Sequence, residues 1–301
     1  MRLKPYLQLV RLPNVFTAAA DSLSGFLIVG GALADVGRWL PLAVASMAIY
    51  AAGIALNDVF DLELDRIERP GRPLPSGRVS VRFAKVLSAV LLGAGLASAS
   101  VSGMTPAVVA LVLVVSVVSY DAGIRRSVLG PELMGACRGL NVLLGMSLAP
   151  GFGGPAAWAV AVGIAVFIVG VTWISRFETE VGRRAAPAAG IVLQGLGVGM
   201  LAGAGLAGRA DPGLHPQGGI LPALPGLIVL LLAAGRVARE SGRAVWDPRP
   251  ETLQRAVKAG VLSLIWLHVG VVACVRGPVE AMAVAVLWLP SAIAARWIDS
   301  T

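Results

Sequence analysis

Residues 57–78 read NDVFDLELDRIERPGRPLPSGR and follow an apolar run long enough to cross a membrane. An α-helix advances about 100° per residue, so Asn57, Asp61 and Asp65 share one face, and Asp58 lies beside Asn57. Three carboxylates and an amide on one face favour a cation among them, and hard oxygen ligands suit Mg²⁺ shared with a phosphate. The alternative is a solvated helix end. The dense group of arginines that follows favours the first interpretation, because acids for a metal beside arginines for an anion are typical of a diphosphate site.

The composition predicts a membrane protein. Hydrophobic residues make up 56% of the 301 residues and charged residues 14%, and the mean hydropathy is +0.80. The apolar residues form blocks of about membrane-spanning length, which we place near 13–33, 39–62, 83–103, 105–121, 131–149, 156–177, 186–207, 219–238, 256–275 and 279–297. We therefore predict an all-α fold, a polytopic membrane bundle of nine or ten transmembrane helices in a single domain, 1–301. The number depends on whether residues 276–278 turn the chain or bend one long helix.

The basic residues predict the orientation of this bundle. The formal net charge of +8 arises from short loops between apolar blocks, without a continuous basic face, so nucleic acid is not an expected partner. Of the 25 Lys and Arg residues, 21 fall on one side of the predicted spans and three on the other. By the positive-inside rule, both termini and the acidic motif are predicted to lie in the cytoplasm, with the protein in the inner or plasma membrane. The basic loop 236–255 is expected at anionic lipid headgroups.

Several polar residues lie inside the predicted spans. Arg138 and Asn141 are three apart on one face of an apolar segment, and an arginine facing lipid costs about 3 kcal/mol or more, so Arg138 must have a partner. Asp21, in the first span, is a candidate buried polar residue. Asn14, at the start of that span, either caps the helix or faces the bundle. His268 is interpreted as a hydrogen-bonded core histidine outside the site.

A second acidic stretch, SRFETEVGRR, covers residues 175–184. Its two glutamates are about 200° apart on a helix, so they cannot share a face. Glu180 continues a polar stripe of the sixth span and is the better metal-ligand candidate, whereas Glu178 falls outside that stripe. Arg176 and Arg183 flank them and are candidates to meet phosphate. A solvated helix end is the alternative here.

Three motifs resemble the UbiA superfamily of intramembrane prenyltransferases. The pattern Asn-Asp-x-x-Asp-x-x-x-Asp, followed by Arg-Pro-x-Arg-Pro-Leu-Pro-Ser-Gly-Arg, resembles the first aspartate-rich motif of that superfamily without a gap. Tyr120 and Arg125 resemble its Tyr-x-x-x-x-Lys element, with arginine at the lysine position; a loop anchor at the membrane surface is the alternative. The Cys-Arg-Gly-x-Asn pattern around Arg138 resembles the EboC-like branch. The stretch around Glu178 stands where the family carries a second aspartate-rich motif, and departs from it in having glutamates.

The resemblance implies a Mg²⁺-dependent enzyme that ionises an isoprenyl diphosphate and transfers the prenyl group to a small lipid-soluble acceptor. It implies that Mg²⁺ is held by Asn57, Asp58, Asp61 and Asp65, with Glu180 or Glu178 at a second site. It implies catalytic roles for Asp61, Asp65, Arg72 and Arg125. The diphosphate contacts expected on the same basis come from Asn14, Arg72, Tyr120, Arg125, Arg138, Asn141, Arg176 and Arg183. The alternatives are a terpene cyclase using the same site, and a non-catalytic prenyl-lipid binding or export component, which the altered second motif favours.

Overall fold

A computed structural model describes residues 3–176, 184–210, 219 and 221–298. In this part of the chain the backbone forms α-helices joined by turns, loops and short 3₁₀ helices, and the all-α prediction is confirmed. The helices are α1 Lys4–Leu9, α2 Leu12–Ile28, α3 Val36–Phe60, α4 Leu62–Glu68, α5 Val81–Val101, α6 Met104–Ala122, α7 Gly130–Met146, α8 Gly154–Ser175, α9 Ala185–Arg209, α10 Leu224–Trp246, α11 Pro250–Val275, α12 Pro278–Val286 and α13 Trp288–Trp297.

Each predicted span corresponds to helix in the structure. Eight helical segments among the described residues are long and apolar enough to cross a membrane. The other two predicted spans, 13–33 and 131–149, are α2 and α7, which have 17 residues each. Between α11 and α12 the chain turns at Gly277, whose φ of 107° is a conformation that favours glycine. The last predicted span is the pair α12 and α13, interrupted at Leu287.

Helix α2 lies at the centre of the bundle and is buried along most of its length. It packs against α3, α7, α11 and α13. Glycines allow α2 and α7 to approach closely, because a Cβ atom on Gly25 would overlap the backbone at Val142, and one on Gly145 would overlap the backbone at Ser22. This approach brings the polar residues of the two helices into contact.

The apolar core consists of two main clusters that share helix α7. One cluster gathers buried residues of α2, α7, α8, α9, α10, α11 and α12. The other gathers buried residues of α3, α5, α6 and α7. Helix α7 therefore connects the first half of the bundle to the second, and its polar residues Arg138 and Asn141 lie between them.

Candidate active site

The acidic motif lies where α3 passes into α4. Helix α3 ends at Phe60 and α4 begins at Leu62. The helical hydrogen bonds continue across the junction, since the Asp61 N–H donates to the Asn57 carbonyl at 2.9 Å and the Asp65 N–H donates to the Asp61 carbonyl at 2.8 Å. The helical spacing predicted for Asn57, Asp61 and Asp65 is therefore present, with a local break at Asp61.

The loop after α4 folds back over this motif and delivers Arg72 to it. Arg72 Nη1 donates to Asp65 Oδ2 at 2.7 Å and to Asp58 Oδ1 at 3.4 Å. Both aspartates are buried, with 3% of each residue exposed. Arg78 fastens the loop, because its guanidinium donates to the Gly71 carbonyl and to Gln8 Oε1. Arg72 thus bridges two of the predicted metal ligands.

A second arginine reaches the motif from the end of α6. Gly123, with a φ of 154°, ends that helix, and a single 3₁₀ turn, Ile124–Arg126, follows. Both Nη atoms of Arg125 donate to the two carboxylate oxygens of Asp61. This fork-to-fork arrangement is the one that arginine also makes with phosphate. Lysine could not reproduce it, because an ammonium group lacks the planar fork.

Arg11 also contacts the motif, although the sequence patterns did not predict it. Its Nη2 lies 3.5 Å from Asp58 Oδ1. Arg11 adopts φ 45° and ψ 55°, a left-handed conformation uncommon for a residue other than glycine, at the break between α1 and α2. Pro13, in the first turn of α2, was the sequence signal for a helix start directly after this arginine.

Asp121 also lies at the site, although the sequence patterns did not predict it. It is the penultimate residue of α6, directly after the half-buried Tyr120, and only 3% of it is exposed. Its Oδ1 accepts a hydrogen bond of 3.0 Å from Asn57 Nδ2. An acid at the end of an apolar span was the available signal, but nothing in the sequence pairs it with Asn57, which lies 64 positions earlier.

Arg138 and Asn141 lie in a buried polar network with Asp21. Arg138 Nη1 donates to Asp21 Oδ2 at 2.6 Å, and Asn141 Nδ2 donates to the same oxygen at 3.3 Å. His268 Nε2 is 2.7 Å from the other carboxylate oxygen of Asp21. Arg138 therefore has the partner that its place in the membrane required, and His268 is the hydrogen-bonded core histidine that was predicted. That Arg138 and Asn141 bind diphosphate stays a prediction, and their contacts favour a structural role.

The remaining predicted residues lie at the edge of the site or outside the described chain. Asn14 is half-buried in the first turn of α2, where its N–H donates to the Arg11 carbonyl at 2.8 Å. Arg176 Nη2 is 3.5 Å from the carbonyl of Arg126, beside the turn that carries Arg125. The predictions for Glu178, Glu180 and Arg183 fall outside the described residues.

The chemistry of the motif fits Mg²⁺, but its carboxylates face arginines. Three carboxylates and an amide supply the hard oxygen ligands that Mg²⁺ takes. Among the described residues, however, no three His, Cys, Asp or Glu side chains are grouped closely enough to hold a metal ion. Asp58, Asp61 and Asp65 each pair with an arginine instead. A cation can share these oxygens only if the arginine contacts rearrange.

The sequence of this chain matches a known family. The model of the UbiA prenyltransferase family matches residues 18–257, which include both the acidic motif and Arg125. The chain belongs to the UbiA prenyltransferase family. With its apolar helices, this makes it an integral membrane protein. The match identifies the family but not a branch within it, so membership of the EboC-like branch stays a prediction.

Relatives of known name match part of the chain. A digeranylgeranylglyceryl phosphate synthase of Saccharolobus solfataricus is 37% identical over 127 residues, which are 42% of this chain and 45% of the relative. The enzyme of that name from Methanopyrus kandleri is 44% identical over 98 residues, 32% of this chain and 35% of the relative. The chain thus spans about half the length, or less, of the curated relatives that it matches.

Solved structures match almost the whole fold. A UbiA homolog from Aeropyrum pernix K1 aligns with a TM-score of 0.65 and 18% identity, covering 86% of this chain and 97% of the other. A UbiA homolog from Archaeoglobus fulgidus, bound to DMAPP and Mg²⁺, aligns with a TM-score of 0.56 and 18% identity, covering 88% and 98%. At these identities the likeness establishes the UbiA-type bundle and not the ligands.

Proposed function

We propose that this protein is a Mg²⁺-dependent intramembrane prenyltransferase that ionises an isoprenyl diphosphate and transfers the prenyl group to a lipid-soluble acceptor. The observation that carries the proposal is the meeting of the acidic motif with Arg72 and Arg125, which come from two different loops to one end of the bundle. Acids and arginines brought together at the end of apolar helices suit a ligand with an anionic head and an apolar tail.

Binding of the substrate would exchange the partners of these side chains. In the structure Arg72 pairs with Asp58 and Asp65, and Arg125 pairs with Asp61. Mg²⁺ on these oxygens would supply positive charge to the diphosphate. The arginines released from the carboxylates can then donate to the diphosphate oxygens, for which their forks are equally suited. The acids and the arginines would thus act together on the same anion.

The residues of the chain explain how ionisation would proceed. The C1–O bond of the prenyl diphosphate breaks, and the electron pair leaves with the diphosphate. Arg72 and Arg125 stabilise the negative charge that develops on this leaving group. The apolar helices keep water from the allylic cation until the acceptor bonds to C1 and loses a proton. Water at that point would yield a prenyl alcohol instead of the transfer product.

Further parts of the site belong to the proposal. We place a second Mg²⁺ contact at Glu180 or Glu178 and further diphosphate contacts at Asn14, Tyr120, Arg176 and Arg183, in a single domain that opens to the cytoplasm. The acceptor to be tested first is a prenylated glyceryl phosphate, since the partly matching relatives are named for a product of that class. Lipid-soluble alcohols and quinols are the acceptors to be tested next.

The experiment is release of pyrophosphate by the purified protein in lipid. Farnesyl and geranylgeranyl diphosphate are supplied in turn, with Mg²⁺ or with EDTA, and with or without the acceptor, and the products are weighed by mass spectrometry. We expect release only with Mg²⁺, and a product whose mass is that of acceptor plus prenyl group.

Other outcomes point to the alternative functions. A cyclic hydrocarbon or alcohol formed without acceptor would indicate a cyclase. Tight Mg²⁺-dependent binding without release, over the whole panel of acceptors, would indicate a binding component. Release that is unaffected by EDTA would refute the role of the metal.

A further inference from the structure

Asp121 is the one acid at this end of the bundle, among the described residues, whose carboxylate faces an amide and not an arginine. Its Oδ1 accepts from Asn57 Nδ2 at 3.0 Å. Its Oδ2 is fully enclosed and has no hydrogen-bond partner in the described part of the chain. A buried carboxylate with one free oxygen is costly to maintain, so a benefit in function is expected where it persists.

The contact determines how the Asn57 side chain is turned. A carboxamide carries its donor and its acceptor on opposite branches, and a carboxylate can only accept. Asp121 therefore holds the NH₂ group of Asn57 towards α6, which leaves Asn57 Oδ1 as the atom directed away from α6. Without Asp121, rotation about the last side-chain bond would exchange the two atoms freely. A carboxamide presenting its NH₂ group to a cation would repel it.

We propose that Asp121 is a positioning residue that orients Asn57 so that its carbonyl oxygen, and not its NH₂ group, faces the cation bound by the acidic motif. Asp121 does not itself contact the metal or the substrate. The inference rests on the proposed function, because it assumes that Asn57 is a ligand. It extends that function to a residue of a different helix, and it explains why an acid is buried beside Tyr120.

The test measures cation affinity without turnover. The ligand is farnesyl thiodiphosphate, in which sulfur replaces the oxygen between C1 and the first phosphorus and slows ionisation. Its binding to the full chain in lipid nanodiscs is measured as Mg²⁺ is titrated. Asp121→Leu is expected to raise the half-saturating Mg²⁺ concentration about 10-fold to 100-fold, the usual effect of losing a residue that orients a metal ligand. Asp121→Asn retains an acceptor oxygen for Asn57, so its value is expected to stay within about threefold of the unmodified protein.

Coupling to Asn57 distinguishes positioning from general damage. Asn57→Leu should raise the half-saturating concentration to a similar extent, and the double variant Asn57→Leu/Asp121→Leu should be no worse than Asn57→Leu alone. Ser98→Ala is the matched control, because it removes another interhelical hydrogen bond to α3, of 2.8 Å to the Pro41 carbonyl, at the far end of that helix. It should leave the Mg²⁺ titration unchanged. If Asp121→Leu fails to fold, Asp121→Ala takes its place.

Three results would overturn the inference. An unchanged titration in Asp121→Leu would show that Asn57 needs no support. A loss in Asp121→Asn as large as that in Asp121→Leu would show that the negative charge itself is required, as for a direct metal ligand. Absence of Mg²⁺-dependent analogue binding by the unmodified protein would refute the proposed function itself, and the inference with it.

Discussion

Asp21→Asn tests whether the buried polar network holds the two halves of the bundle together. The side chain of Asp21 is 0% exposed and that of Arg138 is 6% exposed, and 2.6 Å separates their nearest charged atoms. Asparagine keeps the shape and an acceptor for His268 but removes the charge. Arg138 would then be a buried cation in α7 without a counter-ion.

The contacts that Arg138 keeps in Asp21→Asn determine how much the free energy of unfolding falls. Loss of one partner of a buried ion pair costs about 3–5 kcal/mol. Arg138 would keep a hydrogen bond of 2.9 Å to Thr17 Oγ1 and its position 4.5 Å from the centre of the Tyr50 ring. A desolvated cation–π contact is worth about 2 kcal/mol. We therefore expect Asp21→Asn to lower the free energy of unfolding by about 3 kcal/mol, the lower end of that range.

The assay is unfolding in mixed micelles with increasing SDS, followed by tryptophan fluorescence. Asp35→Asn is the matched control, because it removes an exposed ion pair with Arg38, of 3.8 Å, and should cost less than about 0.5 kcal/mol. The double variant Asp21→Asn/Arg138→Met removes both charges and should be more stable than Asp21→Asn alone. Two results would refute the reasoning. One is a free energy of unfolding that falls by less than about 1 kcal/mol in Asp21→Asn. The other is a change in the double variant that equals the sum of the two single changes within about 0.5 kcal/mol.

Three further predictions follow from the contacts of the site and of the helix interface. Asp61→Asn should lower Mg²⁺-dependent pyrophosphate release at least about 100-fold, since it removes a charge from the cation site; unchanged release would exclude the motif from the reaction. Arg125→Gln should strengthen binding of Mg²⁺ alone, because Asp61 loses its nearest cation and keeps the more distant Arg126, 3.7 Å away; it should weaken binding of the diphosphate analogue about tenfold or more. Calorimetry measures both affinities, and a loss of both would contradict the exchange of partners. Gly145→Ala should destabilise the protein by about 1–3 kcal/mol through overlap with the Ser22 carbonyl, whereas Gly93→Ala, on an open face of α5, should not. Unfolding in SDS measures the stability of both variants, and equal stability would contradict the close approach of α2 and α7.

Much of the fold was predictable because the relevant rules are local. In lipid a backbone must satisfy its own hydrogen bonds, so apolar blocks of membrane-spanning length become helices. For the same reason the helical spacing of Asn57, Asp61 and Asp65 could be predicted, and the hydrogen bonds across the α3–α4 junction preserve it. The need of Arg138 for a partner also followed from its surroundings alone.

The identity of the partners could not be predicted in this way. Arg138 meets Asp21 across 117 positions and Asn57 meets Asp121 across 64. Nothing in the local sequence indicated that Arg11, directly before a helix start, would turn towards Asp58.

The sequence by itself determined that this is a helical membrane protein with a concentrated acidic and basic motif, because hydropathy and helical periodicity act over a few neighbouring residues. Only the tertiary structure decided which cation neutralises which carboxylate, and that Asp121 holds Asn57. Those pairings depend on helix packing, such as the close approach at Gly25 and Gly145, and packing is a property of surfaces far apart in the chain.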